Sequence, residues 1–354
     1  MEFLTEFGLF VAKAVTLVVA LIVIISVVLS AAHKDKGADS EDGELRVRKL
    51  NEKYRKLRES LQARLLSEPE RKVRAKQVKK EEKARNKAEK GKAKAGDTTE
   101  TPKKRIFVLD FDGDIKASDT DPLRRAITAV LSVAQPGQDE VVIRLESGGG
   151  LVHSYGLAAA QLDRIRSKGI HLTACVDKVA ASGGYMMACV ADRIVASPFA
   201  ILGSIGVVAQ LPNFHRLLKK NNVDFEVLTA GEHKRTMTIF GENTDKGRQK
   251  FLEDLDDTHV LFKEYVGERR PELDIAAVAN GDIWFGRRAM DVKLIDQIQT
   301  SDEYLIEACE GADVISVAYQ RKRTLPEKLG LATSAALEHT VWRLLSAFRS
   351  QKIQ

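Results

Sequence analysis

The chain has 354 residues, 44% of them hydrophobic, and sets 56 Lys and Arg against 50 Asp and Glu, a formal net charge of +6. That length suits one large domain or two ordinary ones, and that apolar fraction excludes wholesale disorder and collagen-like repeats. Three cysteines, Cys175, Cys189 and Cys309, are too few and too scattered for a disulfide scaffold, and no CxxC pair suggests a zinc site.

The charge is unevenly spread. From Ala14 to Ala32 nineteen residues carry none. As a helix they would span about 29 Å, close to the ~30 Å hydrocarbon core of a bilayer. Glu2 and Glu6 precede a lone Lys13, unlike the basic start of a cleaved signal peptide, and the apolar run is longer than a signal core. Residues 1–33 are therefore expected to form one uncleaved transmembrane helix. Residues 34–104 read as a basic, partly helical linker. Its stretch 71–96 is about half Lys and Arg and cannot bury a core. Upstream, Leu50, Tyr54, Leu57, Leu61 and Leu65 recur at helical spacing, an amphipathic helix suited to self-association or to lying on lipid. No aromatic-studded binding module accompanies the basic run, so nucleic acid is not expected as a partner and anionic lipid is. Basic residues after the apolar run favour a cytoplasmic domain by the positive-inside rule.

At Arg105 the composition changes. IFVLDFDG (106–113), EVVIRLES (140–147) and HLTACVD (171–177) are buried-strand patterns. Helical stretches follow near Asp121–Ala134 and over His153–Gly169, and 178–191 turns from a strand into another helix. DRIVASP (192–198), SIGVVAQ (204–210) and DFEVLTA (224–230) read as further strands, and a long helical pattern begins after Thr244. Alternating strands and helices imply βαβ units and a largely parallel α/β sheet over 105–320. Residues 321–354 read as a C-terminal helical tail.

Several loops could carry chemistry. Leu145–Gly150, LESGGG, lies between a strand and a helix, where backbone N–H groups can converge on an anion. The GxGxxG spacing of a dinucleotide site is not met, and glycines at such a turn also serve left-handed backbone angles. In AASGGY, Ser182 stands at a helix start, where negative charge is stabilised, although serine is equally a favoured N-cap. Ser204 sits in the Gly-flanked apolar run LGSIGV. A serine nucleophile needs a base, and none of His153, His171 and His215 has an evident Asp partner. A lysine such as Lys234 can serve where burial pulls its pKa from about 10.4 toward 7–8.

Taken in order, Leu145–Val152, Ala181–Tyr185, Gly203–Val207 and Gly231–Lys234 resemble the motifs of the S49 serine peptidases, the signal peptide peptidase A-type family. The resemblance implies a Clp/crotonase-like spiral of βαβ units. It implies Ser182 as nucleophile, Lys234 as general base, Ser204 as the residue orienting that lysine, and an oxyanion hole at Gly149 with Gly148 beside it. Here Ser147 runs into Gly148 without the family's usual intervening proline. Asn280–Asp296 resembles the family's closing segment, with Asp282 at its arginine position. By the same resemblance no cofactor or metal is required, the substrates are signal-peptide remnants or other apolar membrane-associated peptides, and the protomers form a homo-oligomeric ring. The expected place is the bacterial inner membrane, with family analogy pointing to the periplasmic side against the charge bias. A catalytically inert membrane scaffold, or an acyl-CoA enzyme on the same fold, would need no Ser/Lys pair.

Overall fold

The computed structural model describes residues 43–95 and 103–321. The anchor expected over 1–33 and the tail after Arg321 lie outside the described residues, among which no helix is long and apolar enough to cross a membrane. One compact unit runs from Leu45 to Tyr319. A second comprises 1–44 and 320–354, of which the strand ends at 43–44 and 320–321 are described.

The strands are β1 (Gly43–Lys49), β2 (Arg105–Gly113), β3 (Glu140–Ser147), β4 (His171–Val176), β5 (Val179–Ala181), β6 (Arg193–Ala196), β7 (Ile201–Gly203), β8 (Ile283–Phe285), β9 (Gln297–Ile298) and β10 (Asp313–Arg321). The helices are α1 (Leu50–Leu65), α2 (Glu68–Ala95), α3 (Thr120–Leu131), α4 (Val152–Ser167), α5 (Gly183–Ala188), α6 (His215–Lys220), α7 (Asp245–Arg269), α8 (Ile275–Val278), α9 (Gly286–Asp291) and α10 (Ser301–Gly311). All the strands join one sheet in the order β1-β10-β2-β3-β4-β6-β9, from which β5, β7 and β8 branch at the end of β3. The pairings of β10, β2, β3, β4, β6 and β9 are parallel. The branch continues parallel from β3 to β5 to β7 and closes with β8 antiparallel.

The strands read as continuous apolar runs because both faces of the sheet are covered. With a side-chain period of two, Phe107, Leu109 and Phe111 of β2 and Val141, Ile143 and Leu145 of β3 join the larger core with Ile127 of α3 and Leu162 of α4. The alternate residues Ile106, Val108 and Val142 face a second core with Leu305 of α10 and Leu50 of α1. Local signals place the covering helices. Thr300 and Glu303 form a reciprocal capping box at the start of α10, and the Thr244 hydroxyl accepts the Gly247 N–H at the start of α7.

The amphipathic stretch of the linker is helix α1, and it divides in two. Leu50 is buried and Tyr54 half-buried against the second core, while Leu57, Leu61 and Leu65 are exposed. Asn51 fastens the docked end. Its Nδ2 donates to the carbonyls of Cys309 and Ala312 at 3.2 and 2.9 Å, and its Oδ1 accepts the Val314 N–H at 2.8 Å. The compact unit thus starts well before Arg105.

Two expected strands do not form. The segment 204–210 is irregular because β7 ends at Gly203, φ 87°, and Ser204, φ 50°, which take the chain off the extended path. DFEVLTA, 224–230, alternates as a strand would, yet it pairs with none of the described strands, and Phe225, Val227 and Leu228 remain exposed. A strand pattern without a ladder partner leaves its backbone groups to solvent. Conversely, the strands β1, β9 and β10 carry no motif that singles them out.

Asn51→Ala should lower the unfolding free energy by about 1–3 kcal/mol, since the carbonyls of Cys309 and Ala312 and the N–H of Val314 lose their bond. Urea unfolding of the full chain would read this loss, and an unchanged midpoint would show that α1 is not fastened through Asn51.

Candidate active site

The branch β3-β5-β7 brings three parallel strands to an end side by side. In register, Ser147 faces Ala180, and Ala181 faces Gly203. Ligands of open parallel sheets bind beyond these carboxyl ends, where loops are free to vary. Here the first residues past the strands are Gly148, Ser182 and Ser204.

Ser182 and Ser204 share an unusual backbone. Both lie at positive φ, 52° and 50°. The Ser182 N–H donates to the Gly203 carbonyl at 2.8 Å, and the Ser204 N–H to the Asp282 carbonyl at 2.7 Å. Each serine is thus the first residue past one of two paired strands. Left-handed geometry at a non-glycine residue costs on the order of 1–3 kcal/mol and gathers at functional sites. The capping explanation for Ser182 fails, because its side chain makes no capping hydrogen bond to α5. What remains is a half-buried hydroxyl at a strand-to-helix turn, the geometry that presents a serine nucleophile elsewhere. The N–H groups of Gly183, Gly184 and Tyr185 open the helix and have no intrahelical acceptor.

Gly149 closes the opposite wall. At φ 90° it needs glycine, and a methyl group there would lie 2.8 Å from Ser182 Cβ and 2.7 Å from the Gly183 nitrogen. The Gly-rich turn thus touches the Ser182 side of the site. Its Gly149 N–H donates to Ser147 Oγ at 3.1 Å, while Gly148 is exposed. Behind it, burial holds the Tyr155 phenol above its usual range; the Ser147 hydrogen bond partly offsets this, and Asp114 and Asp112 add to it. Burial thus favours the neutral, hydrogen-bonding phenol.

Ser182, Ser204, Gly148 and Gly149 are therefore brought together. Lys234 is not. It is exposed in the turn closed by its own N–H to the Gly231 carbonyl at 3.2 Å, and among the described residues it bonds neither serine. The flanking segment is open, with Val208 81% and Leu228 89% exposed and Leu211, Phe214 and Phe240 exposed beside them. No described histidine replaces the lysine. His153 and His171 are exposed, His233 lies 3.8 Å from Glu232, and His259 contacts the Ile205 carbonyl at 3.3 Å from α7. Cysteine chemistry is also disfavoured, because burial pushes the Cys175 and Cys189 thiols up to about 12. Sequence reasoning missed the Asp282 carbonyl, which fixes Ser204, and the part played by Tyr155. The only local sign of the latter was a lone tyrosine eight residues after Ser147 in an alanine-rich helix.

With this geometry in hand, comparison with known proteins is informative. Residues 2–162 match the peptidase family S49 N-terminal domain, and residues 164–315 match peptidase family S49. A probable protease SohB of Haemophilus influenzae is 50% identical over 330 residues, 93% of this chain and 92% of the other. Probable proteases SohB of Buchnera aphidicola are 43% identical over 354 residues, 100% of both chains, in subspecies Schizaphis graminum, and 47% identical over 308 residues, 86% of this chain and 99% of the other, in subspecies Schlechtendalia chinensis. Its paired S49 segments and its likeness to these proteases along nearly its whole length make this chain a member of peptidase family S49.

Proposed function

We propose that the chain is a membrane-anchored serine endopeptidase whose Ser182/Lys234 dyad cleaves apolar, membrane-associated peptides such as signal-peptide remnants. The reading rests above all on Ser182, an uncapped hydroxyl held at φ 52° between the Gly-rich turn, the start of α5 and Ser204. A scaffold or an acyl-CoA enzyme has no use for strain at that position.

In this reading neutral Lys234 takes the hydroxyl proton as Ser182 Oγ attacks the peptide carbonyl. The Gly148–Gly149 turn and the first N–H groups of α5 wall the pocket in which the oxyanion develops. The lysine ammonium, oriented by Ser204, then gives its proton to the leaving amine. Neutral Lys234 then takes a proton from the water that attacks the acyl-enzyme and passes it to Ser182 Oγ as the ester bond breaks, which releases the acid and restores the free hydroxyl and the neutral amine. Neither metal nor cofactor is called for.

A lysine base has to be neutral, which a dry environment favours. For a largely exposed segment such as 206–244 that environment comes from outside the protomer, and its row of exposed apolar side chains suits contact with other copies of the chain. We therefore read the active form as a homo-oligomeric ring on a Clp/crotonase-like spiral, with Lys234 enclosed on assembly. Residues 14–32 supply the anchor in the bacterial inner membrane. Residues 45–95, with 20 Lys and Arg against 7 Asp and Glu, lie on anionic lipid, whereas the rest of the chain is acidic, 36 against 43.

Ser182→Ala and Lys234→Ala should each abolish cleavage of an apolar peptide and leave the fold intact, and Ser182→Ala should lose labelling by a fluorophosphonate. Substantial turnover by either purified variant would end the dyad reading.

Because only the neutral amine accepts a proton, kcat/KM should climb with pH between roughly pH 6 and 10. A flat profile with acylation shown to be rate-limiting would count against a lysine base.

Light scattering of the detergent-solubilised full chain should give a mass several times 39.2 kDa. Leu228→Glu should release protomers that remain folded but no longer cleave. A monomeric and fully active wild type would remove the ring.

A further inference from the structure

A buried polar cluster lies behind the Gly148–Gly150 turn, and the dyad chemistry makes no use of it. Ser147, 2% exposed, ends β3, and the wholly buried Tyr155 stands on the first turn of α4. The Tyr155 hydroxyl donates to the Asp114 carbonyl at 2.7 Å, and its oxygen lies 2.6 Å from Ser147 Oγ. A phenol has one proton. With that proton on Asp114, the Ser147 hydroxyl donates to Tyr155, and its lone pairs accept the Gly149 N–H at 3.1 Å. The Gly113 carbonyl, 3.4 Å from Ser147 Oγ, is a distant competitor. The result is one directed chain of hydrogen bonds from Gly149 N–H through Ser147 and Tyr155 to the Asp114 carbonyl.

The same two residues also touch the nucleophile side. A methyl group on Gly183 would lie 2.4 Å from Tyr155 Cγ, and one on Gly184 would lie 2.4 Å from the Ser147 carbonyl oxygen. Ser147 and Tyr155 are thus wedged between the Gly-rich turn and the two residues that follow Ser182. They meet both walls of the pocket in which an oxyanion would form, and neither residue needs to touch the substrate.

We propose that Ser147 and Tyr155 are positioning residues for acyl transfer at Ser182, their linked hydroxyls fixing the Gly148–Gly150 turn against the start of α5. The proposal rests on Ser182 being the nucleophile. Removing either hydroxyl leaves the other buried and half-satisfied, so the turn shifts to recover a partner. Shifts of an ångström or less at a reacting centre cost rate far more than they cost folding.

The test is Tyr155→Phe in the detergent-solubilised full chain. The substitution keeps the ring that packs on Gly183 and removes only the hydroxyl. We expect kcat to fall on the order of tenfold, with KM close to wild type and the thermal midpoint lower by only a few degrees. Affinity for a peptide boronate, whose tetrahedral adduct on Ser182 puts an oxygen in the pocket, should fall by the same factor, and affinity for an uncleaved peptide product should not. Ser147→Ala should match this loss, and the double variant should be no worse than either single one, because one chain is broken once. If Ser147→Ala does not fold, Tyr155→Phe still decides. Unchanged kcat and boronate affinity in Tyr155→Phe would overturn the proposal, as would losses that simply track a lowered midpoint. A Ser182→Ala control separates the two readings: activity persisting there removes both, whereas an inert Ser182→Ala beside a wild-type-like Tyr155→Phe removes only this one.

Discussion

Between Ala181 and Gly183 the chain leaves a β-strand and starts a helix within a single residue, and Ser182 absorbs the whole change at φ 52°, ψ −120°. Such a conformation persists only where the surroundings over-determine it. Here the Ser182 N–H is tied to Gly203 and its carbonyl to Met186 N–H, 2.8 and 2.9 Å away. The helix that follows is buried along its full length, and the Tyr185 hydroxyl donates to the Leu294 carbonyl at 2.8 Å. An apolar helix pulled into the core thus holds a polar residue at the surface in a posture it would not otherwise take.

That constraint propagates sideways through the sheet. Strands β3, β5 and β7 are parallel and end together, so one short ladder delivers the Gly-rich turn, Ser182 and Ser204 to a common edge. Gly149 and Ser182 approach so closely that no side chain fits at Gly149. Backbone groups rather than long side chains therefore line this part of the site, and backbone dipoles held in a packed frame need little reorganisation when charge develops beside them.

The other half of the proposed machinery obeys a different rule. Ser182 is preformed at the end of a buried strand, while Lys234 belongs to an exposed segment. Nucleophile and base would then be joined only once that segment is enclosed. Such an arrangement would keep the site idle in a lone protomer.

The parts of the fold legible in the sequence were those governed by local pattern. β2, β3 and β4 follow from unbroken apolar runs, α4 and α7 from helical periodicity, and the Ser182 turn from glycines that can serve few other purposes. Family likeness and these motifs also brought out Ser204 and Gly149. What the sequence left undecided needed partners distant along the chain. SIGVVAQ and DFEVLTA have strand patterns, yet a strand exists only when a neighbour supplies its ladder, and tertiary folding supplied none. Asn51 is one polar residue in a basic linker until β10, more than 250 residues away in the chain, offers its backbone. Ser147 and Tyr155 become a single hydrogen-bonded unit only because β3 and α4 pack around a glycine turn. Periodicity and composition are one-dimensional and record burial, whereas a hydrogen bond or a strand pairing depends on which two surfaces meet, and packing alone decides that.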